Sequence, residues 1–203
     1  MIELVVATKN KKKLQEIKDI LKEVPLQIHF LSDYPDAPRI IENGKTFKDN
    51  AVKKAERIGR FTGKLTLGED SGLCVEALGG KPGVYSARFA GKEKSDAKNN
   101  QKVLRLLKGL PLKQRKAHYV CAVALANALG PLGVVEGKCS GVIAYCTKGT
   151  RGFGYDPLFF IPKYKKTFGE LGEGVKHTMS HRYHALRKAR AIIEKYVEKH
   201  SAG

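Results

Sequence analysis

Apolar and polar positions fall in alternating strand-like and helix-like runs along the chain. Residues 2–7, IELVVA, form an apolar run around one acid, which predicts a buried strand. From Lys11 to Glu23 the apolar positions Leu14, Ile17, Ile20 and Leu21 recur at helical spacing, with Thr8 or Asn10 as the N-cap. A second strand is expected over 26–31, then a loop over 32–38. A helix beginning near Thr46 would bury Phe47, Ala51, Ala55 and Ile58. Leu65 to Leu67 reads as a short strand that runs into Glu69 and Asp70, and Leu73 to Leu78 as a second apolar run. Ser95 opens a helix that carries Val103, Leu104, Leu106 and Leu107 inside and ends near Gly109. Residues 117–129 and 134–144 read as two long strands joined by the 130–133 turn. A final helix follows Ser180, its expected N-cap, and buries Leu186, Ala189, Ile192, Ile193 and Val197. This order predicts an α/β fold, and without repeats or a low-complexity linker we expect one domain over 1–203.

Composition narrows the picture. With 203 residues and 42% hydrophobic content the chain can bury a full core. No stretch reads as a signal peptide, and the longest apolar region, 120–129, is broken by Asn127 and is too short for a membrane span. Cys74, Cys121, Cys139 and Cys146 show no CxxC spacing and are expected as free thiols in a reducing cytoplasm. The net charge of +18 admits three explanations: nucleic-acid binding, attraction of a small polyanion such as a nucleotide, or a solvated lysine-rich surface. The basic residues are scattered, Trp is absent, and no zinc finger or RNA-binding aromatic signature accompanies them, so nucleic acid is the weaker reading.

Candidate chemistry concentrates in a few places. Thr8, Asn10 and Lys13 lie where a strand enters a helix, a junction whose free backbone N–H groups bind phosphate readily. The GKT at 44–46 is no Walker motif, because Arg39 stands where the first glycine is required. Asn50 and Lys54, four apart, share one helix face, with Glu42 just before that helix. Glu69-Asp70-Ser71-Gly72 presents two acids and a hydroxyl after a strand, a plausible metal-ligand arrangement as well as a plausible turn. Gly152-Phe153-Gly154 lacks the third glycine of a dinucleotide fingerprint, leaving a glycine-flexed loop with Phe153, Tyr155 and Asp156. His181 and His184 have no third ligand nearby in the sequence and are not read as a zinc site.

Five separated motifs together resemble one family. They are Thr8-x-Asn10-x-x-Lys13; Glu42-x-Gly44-x-Thr46-Phe47-x-x-Asn50-Ala51-x-x-Lys54-Ala55; and Glu69-Asp70-Ser71-Gly72-Leu73 with Gly79-Gly80-x-Pro82-Gly83-x-Tyr85-Ser86-Ala87-Arg88. Gly152-Phe153-Gly154-Tyr155-Asp156-Pro157-x-Phe159 and Lys176-x-x-x-Ser180-His181-Arg182 complete the set. In this order and spacing, from residue 4 to about 190, the chain is similar to the inosine/xanthosine triphosphate pyrophosphatases, house-cleaning hydrolases of deaminated purine nucleoside triphosphates. The resemblance implies a long twisted mixed sheet flanked by helices, with two lobes and the active site in the cleft between them. It implies a homodimer, Mg²⁺ dependence, and hydrolysis of ITP, dITP and XTP to the monophosphate and pyrophosphate. It also assigns Asp70 as general base; Glu42 and Asp70 are the candidate Mg²⁺ ligands, because that ion takes hard carboxylate oxygens. Substrate contacts carry over to Thr8, Lys9, Asn10, Lys11, Lys12, Lys13, Lys54, Ser71, Phe153, Gly154, Tyr155, Asp156, Lys176, His181 and Arg182. Among these, Lys13, Lys54 and Lys176 are expected on the triphosphate, Phe153 stacked on the base, and Asp156, His181 and Arg182 along its edge. Many members carry Asp-Asp where this chain has Glu69-Asp70, so the role of position 69 is left open. The alternatives are a pyrophosphatase for modified pyrimidine triphosphates and a nucleic-acid-binding protein.

Overall fold

The computed structural model describes residues 2–201. Strand β1 (Ile2–Val6) pairs in parallel with β2 (Leu26–Phe30), Ile2 opposite Leu26. Its other edge pairs in parallel with β3 (Leu65–Val75), Leu4 opposite Leu65. With β4 (Lys116–Asn127), β5 (Gly130–Ile143), β6 (Phe159–Ile161) and β7 (Lys166–Thr167), the sheet has seven strands in the order β2-β1-β3-β4-β5-β6-β7. The β5–β6 and β6–β7 pairs are antiparallel, so the sheet is mixed as expected. The helices are α1 (Lys11–Leu21), α2 (Phe47–Thr62), α3 (Asp96–Leu106), α4 (Glu173–Met179) and α5 (His181–Ser201).

Three local expectations change. Residues 65–75 form one continuous strand, so Glu69 and Asp70 sit in mid-strand and not at a strand end. Their side chains meet cations and an amide, described below, and the backbone has no need to break to solvate them. The β4–β5 hairpin turns through residues 128 and 129, and Gly130 opens β5 with a φ of 138°. Residues 173–179 form a helical turn that apolar spacing did not announce, since its face carries only Val175 and Met179 as partly buried hydrophobics.

Two compact units divide the chain. One comprises the residues up to Asp70, 121–137 and those from Arg182 onward; the other comprises 71–120 and 138–181. In the first, Leu4, Val6, Leu65, Leu67, Cys121, Val123 and Leu125 of the strands pack with Ile17 and Leu21 of α1 and with Leu186, Ala189 and Ile193 of α5. In the second, Leu73, Val75, Tyr119 and Ile143 pack with Val103, Leu107, Phe159 and Phe168. Arg115 stitches this unit together: its guanidinium donates to the carbonyls of Leu107 (2.8 Å), Ile143 (2.7 Å) and Ala144 (2.8 Å).

Candidate active site

In the first unit, the β1–α1 junction is fixed by its own side chains. Asn10 caps α1, its Oδ1 accepting from the N–H groups of Lys12 (3.0 Å) and Lys13 (3.2 Å), while Thr8 Oγ1 accepts from Asn10 N (3.2 Å). The side chains of Lys9, Lys11 and Lys12 lie on an exposed stretch, and Lys13 turns inward.

Helix α2 starts on a capping box in which Thr46 and Asp49 exchange hydrogen bonds, and this fixes which face meets β3. Asn50 and Lys54 share that face. Asn50 donates from Nδ2 to Asp70 Oδ2 at 2.9 Å, and its Oδ1 accepts from Gly44 N at 2.8 Å. Lys54 Nζ lies 2.8 Å from Glu42 Oε2, 3.0 Å from the Glu69 carbonyl oxygen and 3.8 Å from Asp70 Oδ1. One ammonium thus gathers both expected metal ligands. Helix and strand come this close because residue 68 is glycine: a Cβ there would meet Ala51 O at 2.2 Å and Ala55 N at 2.6 Å. Burial raises the Asp70 pKa above the ordinary carboxylate value, held in check by Lys54, Lys13 and the Asn50 amide.

Next along β3, the Glu69 side chain points at other partners. Arg182 donates from Nε to Oε2 at 3.2 Å and from Nη2 to Oε1 at 3.2 Å. Lys13 Nζ reaches the same Oε1 at 3.3 Å. Arg182 also pairs with Glu16 of α1. Burial alone would lower the guanidinium pKa, but Glu69 and Glu16 together raise it above its ordinary value. The structure therefore gathers Lys13, Glu42, Asn50, Lys54, Glu69, Asp70 and Arg182 in one unit. Glu16 was missed in the sequence, where it is one of several polar residues on α1.

The second unit holds the other expected contacts. Asp156 is buried and pairs with Lys176 Nζ at 2.8 Å, and its Oδ2 also accepts from Phe153 N at 2.9 Å. Lys176 Nζ lies 5.0 Å from the Phe153 ring centroid. Gly152 has a φ of 76°, and a Cβ there would strike Asp156 Oδ2 at 2.0 Å, so the glycine lets the loop wrap the carboxylate. Gly154 is held by Asp96, which accepts from its N–H at 2.8 Å, and by Asn100, which donates to its carbonyl at 2.9 Å. Tyr155 is core: its hydroxyl donates to Ser86 O at 2.7 Å, and Ser86 in turn ties Gly83 to Leu73 of β3. His181 stacks on Tyr119 with ring centroids 4.6 Å apart, and the Tyr119 hydroxyl lies 3.4 Å from Asp156. Tyr119 gave no signal in the sequence beyond an apolar strand position. Ser71 follows Asp70 on β3, half-buried.

Among the described residues no group of three or more His, Cys, Asp or Glu side chains gathers as a metal cage. Two carboxylates joined through one lysine remain, which is the hard-oxygen, low-count donor set that suits Mg²⁺ bound together with phosphate oxygens.

A mixed α/β sheet carrying a buried carboxylate among lysines, beside a capped helix N-terminus, defines a protein built to take a polyanion. The chain belongs to the Ham1 family, whose model matches residues 4–192. It is 48% identical over 194 residues to the dITP/XTP pyrophosphatase of Desulforamulus reducens, covering 96% of each chain. It is 47% identical over 194 residues to that of Shouchella clausii, covering 96% of this chain and 98% of the relative. The solved structure of a HAM1 protein from Coxiella burnetii superposes with a TM-score of 0.88 at 36% identity, over 96% of this chain and all of that one (100%).

Proposed function

We propose that this protein hydrolyses deaminated purine nucleoside triphosphates, dITP, ITP and XTP, to the nucleoside monophosphate and pyrophosphate. The observation that carries the reading is Asp70, a buried carboxylate held between Asn50 and Lys54 within reach of Glu42. It is supported by the relatives named dITP/XTP pyrophosphatase. Asp70 accepts the proton of the attacking water, and burial, by raising its pKa above the ordinary carboxylate value, strengthens it as a base. Glu42 and Asp70 would hold Mg²⁺, which supplies charge neutralisation for the phosphates. Lys13, Lys54 and the backbone N–H groups over residues 8–13 hold the triphosphate, with Lys9, Lys11 and Lys12 adding exposed charge. Phe153 stacks on the base, and Lys176, expected from the resemblance on the triphosphate, is instead assigned to the base: paired with Asp156 and 5.0 Å from the Phe153 ring centroid, it offers a donor to a 6-keto oxygen. Adenine presents a 6-amino donor there and leaves two donors facing each other, which is the basis for its rejection. The enzyme works as a homodimer in the cytoplasm. Pyrophosphate release is measured on ITP, XTP, dITP, GTP and ATP, first with Mg²⁺ and then with chelator. Fast Mg²⁺-dependent release from ITP, dITP and XTP with slow ATP is expected. Release of single phosphates, or no turnover of any deaminated purine, overturns the proposal.

A further inference from the structure

We propose that Glu69 is a positioning residue that holds Lys13 and Arg182 in place for substrate, and not a third acidic ligand to the metal. The inference rests on the function proposed above. Both carboxylate oxygens are already committed: Oε2 accepts from Arg182 Nε at 3.2 Å, and Oε1 accepts from Arg182 Nη2 at 3.2 Å and Lys13 Nζ at 3.3 Å. The Cys121 thiol adds a fourth contact to the carboxylate, at Oε1, 3.5 Å away. The side chains of Glu69 and Arg182 are each 1% exposed. A metal drawn to Glu69 would have to break a bidentate pair and strand a buried guanidinium. Asp70, one residue on, faces Asn50 and Lys54 instead, because successive side chains on a strand leave opposite faces. The two adjacent acids therefore divide the work: Asp70 serves the chemistry, and Glu69 sets where two cations stand. Arg182 is further fixed by Glu16, and Lys13 Nζ pairs with Glu69.

Glu69→Gln tests this. The amide keeps one acceptor, but its NH₂ then faces a cationic donor, so one cation loses its anchor. The variant also removes a negative charge, which on charge alone would favour a polyanionic substrate. The expected result is a fall in kcat on dITP of at least about tenfold, with the Mg²⁺ midpoint of activation within about twofold of wild type. Glu69→Asp keeps the charge on a shorter arm and is expected between the two. A separate readout uses the metal-free protein: exchange of the Arg182 Nε–H with solvent, followed by NMR, is slow in wild type and at least tenfold faster in Glu69→Gln. An Mg²⁺ midpoint that rises tenfold, alongside that of Asp70→Asn, makes Glu69 a metal ligand and overturns the proposal. Unchanged kcat in both variants also overturns it. If Glu69→Gln does not fold, the same criteria are applied to Glu69→Asp. Should wild type fail to hydrolyse dITP, the functional reading falls, while the Arg182 exchange measurement still decides whether Glu69 holds that cation.

Discussion

Gly68→Ala adds one methyl group at the point where β3 meets α2. That methyl would sit 2.2 Å from the Ala51 carbonyl oxygen, 2.6 Å from Ala55 N and 3.0 Å from Lys54 Cβ. An ordinary carbon–oxygen contact is longer by about 1 Å, so the helix and strand must part by roughly that distance. The obstacle is backbone on an α-helix, which has little freedom to give way. Overpacking of this kind costs about 1–3 kcal/mol. For a chain of this size it corresponds to a fall in melting temperature of about 2–4 °C per kcal/mol. The catalytic loss should be larger in proportion. Asn50 and Lys54 ride on the helix, Asp70 rides on the strand, and the 2.9 Å Asn50–Asp70 bond spans the gap that opens. A misplacement near 1 Å costs on the order of 10²-fold in rate. Thermal melts in chelator and steady-state pyrophosphate release at saturating dITP measure the two effects side by side. Wild-type melting together with wild-type kcat would refute the argument that this glycine sets the spacing of the site.

Asp70→Asn removes the base and is expected to lower kcat by about 10²-fold or more while the protein stays folded; near-normal turnover takes Asp70 out of the mechanism. Because burial raises the Asp70 pKa, wild type without metal loses stability as pH rises from the ordinary carboxylate range through that raised value. Asn carries no such cost, so chelator-treated Asp70→Asn should melt above wild type at pH 8, with the gap closing below about pH 4. Arg115→Met deprives three carbonyls, those of Leu107, Ile143 and Ala144, of a charged donor and should cost about 3 kcal/mol in urea unfolding. Burial pushes the Cys139 thiol up to about 12, and Cys121 is also raised by burial and by Glu69, whereas Cys146 is exposed. Iodoacetamide at pH 8 followed by peptide mass analysis should therefore modify Cys146 first and leave Cys121 and Cys139 unmodified until the protein unfolds.

Local order was legible in the sequence wherever one residue's chemistry decided it. Apolar spacing located α1 through Leu14, Ile17 and Leu21, and placed the start of α2 near Thr46, where the structure has the Thr46–Asp49 capping box. The four-residue step from Asn50 to Lys54 put both on one face, and the structure brings both to Asp70. A helix repeats every 3.6 residues, so such relations are fixed before the chain folds. The course of β3 was not legible in that way. Two adjacent acids read as a strand end, because isolated carboxylates belong in water; the partners that keep them buried come from α1, α2 and α5, far away in sequence. The same holds for Gly68, whose need for a missing side chain exists only once α2 lies against it, and for Glu16, one polar residue among several until Arg182 arrives. Sequence by itself determined the order of elements from β1 to β5, the final helix, the α/β class and the residue types available for polyanion chemistry. Tertiary structure alone decided which acid meets which cation, since that pairing depends on distances between segments that local periodicity does not encode.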